Sequence, residues 1–259
     1  VKGYLDSGIS PMLKHYGPHG NPLGGLNLAS VDCGLYDLHA VYLKPFEMVL
    51  RHLPVYAVMS TYNSWNRIPN SASRYLLTDI LRDRWGFKGY VYSDWGAIEM
   101  LETFHHTAAN KAEAAIQALT GLDVEASSEC YPELFRLVKE GKLDKSYIDT
   151  AVRRVLTAKF ECGLFEDPYG DKHAASGGMH SLRSVELSRQ IAEESIVLLK
   201  NENNLLPLDM NKLTSIAVLG PNADQVQFGD YTWSRDNKDG ITPLQGIKAL
   251  VGEKIKINT

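Results

Sequence analysis

The chain has 259 residues, 44% of them hydrophobic and 22% charged, with a formal net charge of −4; that is length enough for one large α/β domain or one and a half smaller ones. This balance offers no basic face to nucleic acid, and no apolar run approaches the roughly 20 residues a membrane span takes. Three cysteines, Cys33, Cys130 and Cys162, are too few and too widely spaced for a disulfide framework or a zinc site and read as buried thiols. A neutral partner is therefore expected.

Val1-Lys2-Gly3-Tyr4 is not a leader sequence and carries no initiator methionine. The chain is expected to be an internal piece of something longer. Ser10-Pro11-Met12-Leu13-Lys14-His15-Tyr16 is apolar up to a Lys-His pair and runs into a loop punctuated by Gly17, Pro18, Gly20, Pro22, Gly24 and Gly25. It reads as a strand ending in polar groups. Lys14 and His15 either hydrogen-bond a sugar's hydroxyls and brace a carboxylate, or are a rim lysine and a core histidine. Residues 37–51 read as an amphipathic helix broken near Pro45.

Residues 55–62 form the next strand, with Tyr62 at its C-terminal end, and residues 73–85 a helix with Tyr75, Leu76, Leu77, Ile80 and Leu81 as its packed stripe. Tyr90-Val91-Tyr92 is then a short buried strand that sets down Asp94 at its C-terminal end, where parallel α/β sheets and barrels gather their reacting groups. Asp94 either does chemistry there or caps a helix beginning near Ala97. An alanine-rich helix covers 108–119, and Leu122-Asp123-Val124-Glu125 is a brief strand whose carboxylates either line the same rim or anchor loops. Helices over 131–141 and 146–162 follow.

Strand and helix alternate in roughly four units before Gly163, about half of an eight-unit barrel. Half a barrel does not close, so further strands are expected from upstream of Val1 or from another chain. Residues 164–181 are polar and glycine-rich and read as a linker. Over 182–259 a helix (182–199), a strand (215–222), a helix (242–250) and a possible strand (254–258) open a second α/β unit. Gly220-Pro221-Asn222 follows a strand, but no further glycine pair or lysine completes a nucleotide loop.

These strand ends carry a recognisable pattern. Lys14-His15-Tyr16 with Gly20-Asn21-Pro22-Leu23-Gly24-Gly25-Leu26-Asn27, Met59-Ser60-Thr61-Tyr62-Asn63, the stretch from Leu76 through Arg82-Asp83-Arg84-Trp85-Gly86-Phe87-Lys88-Gly89, Ser93-Asp94-Trp95-Gly96-Ala97-Ile98, and Thr120-Gly121-Leu122-Asp123 stand in the order of a single family. Glu193-Glu194-Ser195-Ile196-Val197-Leu198-Leu199-Lys200-Asn201, Leu205-Leu206-Pro207-Leu208 and Val218-Leu219-Gly220-Pro221-Asn222-Ala223 continue it. The chain resembles glycoside hydrolase family 3, the retaining β-glucosidase and β-xylosidase group.

The resemblance implies an α/β architecture: the latter half of a TIM-like (β/α) barrel over 1–163, a linker over 164–181, and the beginning of an α/β sandwich over 182–259. It implies an exo-acting enzyme that removes terminal β-linked glucose or xylose from an oligosaccharide or an aryl or alkyl β-glycoside, with no cofactor and no metal. Asp94 is the implied nucleophile; Lys14, His15 and Tyr62 line the terminal-sugar subsite, and Trp95 borders the aglycone. Retaining chemistry takes two carboxyl groups about 5 Å apart, and an ammonium at Lys14 would favour the ionised form of Asp94. The family's acid/base is a glutamate far along the second domain, so Glu99, Glu102 and Glu125 are not nominated, and the chain by itself is expected to be inactive. Sugar-gripping acidic and arginine residues of the first barrel strands are expected upstream of Val1. Leu23 departs from the glutamate of many xylosidase-like relatives. Two other readings are open: a barrel lyase with a Schiff base on Lys14, and a carbohydrate-binding remnant without turnover.

Overall fold

Short β-rich runs bounded by glycine and proline set the strands of the N-terminal part. In the computed structural model, which describes residues 1–170, 173, 177–229, 231–232 and 240–259, they are β1 (Met12–Tyr16), β2 (Ala57–Ser60), β3 (Ser64–Trp65), β4 (Ile68–Pro69) and β5 (Tyr90–Tyr92). β1, β2 and β5 form one parallel sheet in that order. Parallel neighbours need long crossovers, and helical segments supply them. The chain is of the α/β class.

Val91 and Val58 are fully buried at the middle of the sheet, and Leu76, Leu77, Ile80 and Leu81 pack into the same core. Each such side chain contributes about 1.5–3 kcal/mol on burial. Gly121 is where the π-helix Tyr75–Arg84 comes closest: a Cβ there would stand 2.2 Å from Leu77 Cβ. Only hydrogen fits.

Several elements differ from the expectations. The strand expected at 122–125 is a single parallel bridge between Tyr92 and Val124, because the amide of Val91 donates to the Asp123 carboxylate (2.8 Å) instead of to a neighbouring backbone carbonyl. The helix expected over 37–51 is a π-helical segment Leu38–Tyr42 followed by the α-helix Lys44–His52. Pro45, which has no amide to donate, stands in the first turn of the second piece, where none is needed. After Asp94 the chain makes a turn, and its helix starts only at Met100. Of the thiols, Cys130 is buried, Cys33 half-buried and Cys162 exposed. Cys162 follows helix Lys145–Glu161 as its C-cap, at the solvent end, so it is not a core thiol.

Contact clustering separates a unit Val1–Gly170 from a unit Asp171–Thr259. The expected linker includes residues 171–172 and 174–176, which lie outside the described residues. In the second unit, helix Leu182–Ser195 is capped by Ser181 and stops earlier than expected, at the β-branched pair Ile196-Val197, which favours extended backbone. β6 (Ser215–Ala217) pairs in parallel with β7 (Lys256–Asn258). Helix Pro243–Val251 opens on a capping box of Thr242 and Gln245. No helix among the described residues is long and apolar enough to cross a membrane.

Candidate active site

Parallel strands deliver their C-terminal ends to one edge, and here β1, β2 and β5 bring His15, Tyr62 and Asp94 to it. His15 Nε2 stands 3.2 Å from Asp94 Oδ2, across 79 residues of sequence. Both side chains are largely enclosed. The approach is not in hydrogen-bond geometry: Asp94 Oδ2 is buried and has no hydrogen-bond donor among the described residues. Its other oxygen, Oδ1, accepts from the Trp95 amide at 2.7 Å. That bond goes to the next residue and not into a helix, whose N-cap is Glu99, so Asp94 is not a helix-capping aspartate.

The backbone under Asp94 is tied down from a neighbouring loop. Ser93 Oγ donates to the Asp94 carbonyl and accepts from the Ala126 amide, and Gly96 N donates to the Ala126 carbonyl. The carboxylate thus sits on a stiff mount with one oxygen left without a hydrogen-bond donor among the described residues. His15 is held below the usual imidazole range chiefly by burial; the Asp94 carboxylate opposes this, while His19 and Lys14 push the same way as burial. It is therefore a neutral imidazole at pH 7.

Lys14 is exposed at the end of β1. Tyr62, half-buried, follows β2, and its carbonyl accepts from His105 Nε2 at 2.9 Å. Trp95 is 72% exposed beside Asp94. The carboxylates of the 122–125 segment do not line the site. Asp123 takes Arg82, Arg154 and the Val91 amide, and Glu125 accepts from the amides of Cys130 and Tyr131 at 2.9 Å each. Both are anchors. Burial, with Glu125 alongside, pushes the Cys130 thiol up to about 12, so it stays protonated. Glu99 pairs with Lys111 at 3.2 Å. No group of three or more potential metal ligands occurs among the described residues.

Sequence reading missed His19, Thr61 and Asn63. Gly17, at φ +119°, turns the chain tightly after β1, where a Cβ would press on Asn70 and Thr61. The loop then folds over the end of β2, and the hairpin β3–β4 receives it: Val31 N donates to the Ser64 carbonyl, and Asn63 Nδ2 to the Ala29 carbonyl. Asn66 and Arg67, both at positive φ, make the hairpin turn. His19 thereby comes to lie against His15, with ring centroids 4.5 Å apart. Its spacing of four residues from His15, within a loop of turn formers, was the one signal in the sequence.

Comparison with known proteins identifies the family of the chain. The Glycosyl hydrolase family 3 N terminal domain matches residues 1–158, and the Glycosyl hydrolase family 3 C-terminal domain matches residues 196–259. A beta-xylosidase of Formosa agariphila is 37% identical over 95% of this chain and 36% of its own length. A periplasmic beta-glucosidase of Salmonella typhimurium is 38% identical over 96% of this chain and 33% of its own. Among solved structures, a β-glucosidase from Erythrobacter marinus superposes with a TM-score of 0.88 at 36% identity, covering 96% of this chain and 33% of that one. The beta-glucosidase of Listeria innocua in complex with glucose superposes at 0.82 and 30% identity, with 96% and 34% covered. The chain spans about a third of the length of the curated relatives it matches. With matches to both domain models, in order and over most of its length, the chain belongs to glycosyl hydrolase family 3.

Proposed function

We propose that the protein acts as a retaining, exo-acting β-glycosidase that releases terminal β-linked glucose or xylose, with Asp94 as its nucleophile. The observation that carries this is the buried Asp94 Oδ2, unpaired by any hydrogen-bond donor among the described residues and faced by His15 Nε2 at 3.2 Å. On this reading the first unit is the latter part of a TIM-like barrel catalytic domain, over 1–163, and residues 182–259 begin an α/β sandwich.

Asp94 Oδ2 bonds to the anomeric carbon as the bond to the aglycone oxygen breaks, and that oxygen takes a proton from a second carboxyl group. Water then displaces Asp94 from the glycosyl ester with the configuration retained overall. His15, neutral, donates or accepts hydrogen bonds with the terminal sugar's hydroxyls beside the attacking oxygen. Lys14 and Tyr62 complete that subsite, and the exposed indole of Trp95 stacks on the aglycone. Glu99 and Glu125 are engaged elsewhere, so neither is nominated as the acid/base. Names of relatives that are beta-glucosidases and beta-xylosidases support the substrate class. The exposure of Lys14 speaks against a Schiff-base role, which needs a desolvated amine.

Incubation of the intact protein with a 2-fluoro β-glucoside or β-xyloside, followed by digestion and mass spectrometry, tests the assignment. The label is expected on the peptide containing Asp94. A label on any other carboxylate sinks it.

A further inference from the structure

The buried polar cluster beside His15 fixes a proton position that has a consequence for the site. Asn63 Nδ2 donates to the Ala29 carbonyl at 2.7 Å, which sets the orientation of that amide and leaves Oδ1 as a pure acceptor. Thr61 Oγ1 spends its single proton on Asn63 Oδ1 at 2.8 Å and accepts from the Asn63 amide. His19 Nδ1 stands 2.7 Å from Asn63 Oδ1 and 2.8 Å from Thr61 Oγ1. With the Thr61 proton already committed, Nδ1 can only be the donor. His19 thus carries a proton on Nδ1 and is locked in place by two residues of the β2 end that are themselves fully buried. Its ring lies against that of His15, tilted by 40°.

We propose that His19 is a positioning residue: anchored through Nδ1–H to Asn63 and Thr61, it backs the ring of His15 and holds His15 Nε2 against Asp94 Oδ2. An imidazole near the end of β1 has two free side-chain torsions, and the polar group that faces its Nε2 is a carboxylate oxygen in non-hydrogen-bonding geometry. Something other than that contact must fix the ring. The rigid plate 4.5 Å behind it does so. The anchoring donor and the ring sit on opposite requirements of the side chain, so they can be separated: asparagine places an amide N–H where histidine has Nδ1–H, and glutamine places its amide near Nε2.

This inference rests on the reading of Asp94 and His15 as parts of a glycosidase site, and the test has two arms. In the intact ¹⁵N-labelled protein, the His19 Nδ1 is expected to carry a proton; a bare Nδ1 overturns the inference. With 4-nitrophenyl β-glucoside and β-xyloside, H19A is expected to lose about tenfold or more in kcat/KM, as displaced reacting groups do. H19N, which keeps the anchoring N–H without the ring, and H19Q are each expected to recover little of it. Recovery by H19N or H19Q, neither of which has a ring to back His15, or an H19A enzyme as active as the parent, overturns it. Absence of turnover in the parent protein defeats the glycosidase reading, and the nitrogen shifts, which need no turnover, then decide the His19 geometry alone.

Discussion

Arg82 Nη2 lies 2.5 Å from Asp123 Oδ2 with the two side chains 7% and 1% exposed, and Arg154 Nη1 meets the other Asp123 oxygen at 2.7 Å. One carboxylate thus joins the π-helix Tyr75–Arg84, helix Lys145–Glu161 and, through the Val91 amide, β5. The strand that ends two residues before Asp94 is held in register by this clamp. Its guanidinium is kept below the usual arginine range chiefly by burial, against the pull of Asp123.

Removing that carboxylate leaves Arg82 buried without its counter-charge. Asp123→Ala is expected to destabilise the protein by about 3–5 kcal/mol, the usual cost of breaking a buried pair from one side. Urea unfolding followed by tryptophan fluorescence measures it. A loss of less than about 1 kcal/mol, the range of exposed pairs, would mean the clamp is not sealed from water.

Stability should also depend on pH through His15 and His105. Both are held below the ordinary imidazole value of 6.5 mainly by burial. In the unfolded chain they protonate as pH falls through 6.5, while in the fold they remain neutral until a lower pH. The unfolded state therefore binds more protons in that window, and stability falls as pH is lowered from about 6.5 toward the folded-state values. Urea midpoints at pH 7 and pH 5.5 should show the drop. His105→Gln is expected to reduce the difference between the two; an unchanged difference would exclude His105 as a contributor.

Trp95 separates binding from folding. With its side chain mostly in solvent, Trp95→Ala should change stability by no more than about 0.5 kcal/mol, as surface substitutions do. It should nonetheless raise KM in the intact enzyme for substrates with a sugar or aryl aglycone, and less for a methyl glycoside. Equal effects on all three substrates would place the indole away from the aglycone.

Much of this molecule was legible in its chain. Tyr62 and Trp95 were singled out through the family resemblance; by contrast, short runs such as Tyr90-Val91-Tyr92 between glycines announced strands, alternation with helical periods announced a parallel α/β sheet, and strand ends marked Lys14, His15 and Asp94. Those signals are local: they come from backbone preference and from the periodicity of burial, which each segment carries by itself. The tertiary structure alone decided which oxygen of Asp94 stays unpaired, that Asp123 and Glu125 are anchors, and that His19 is pinned by Thr61 and Asn63. The π-helical turns and the shortened strand near Val124 belong there too. Proton positions and partner choice depend on distances between segments far apart in sequence. Periodicity names the face a side chain occupies; only packing names the atom it meets.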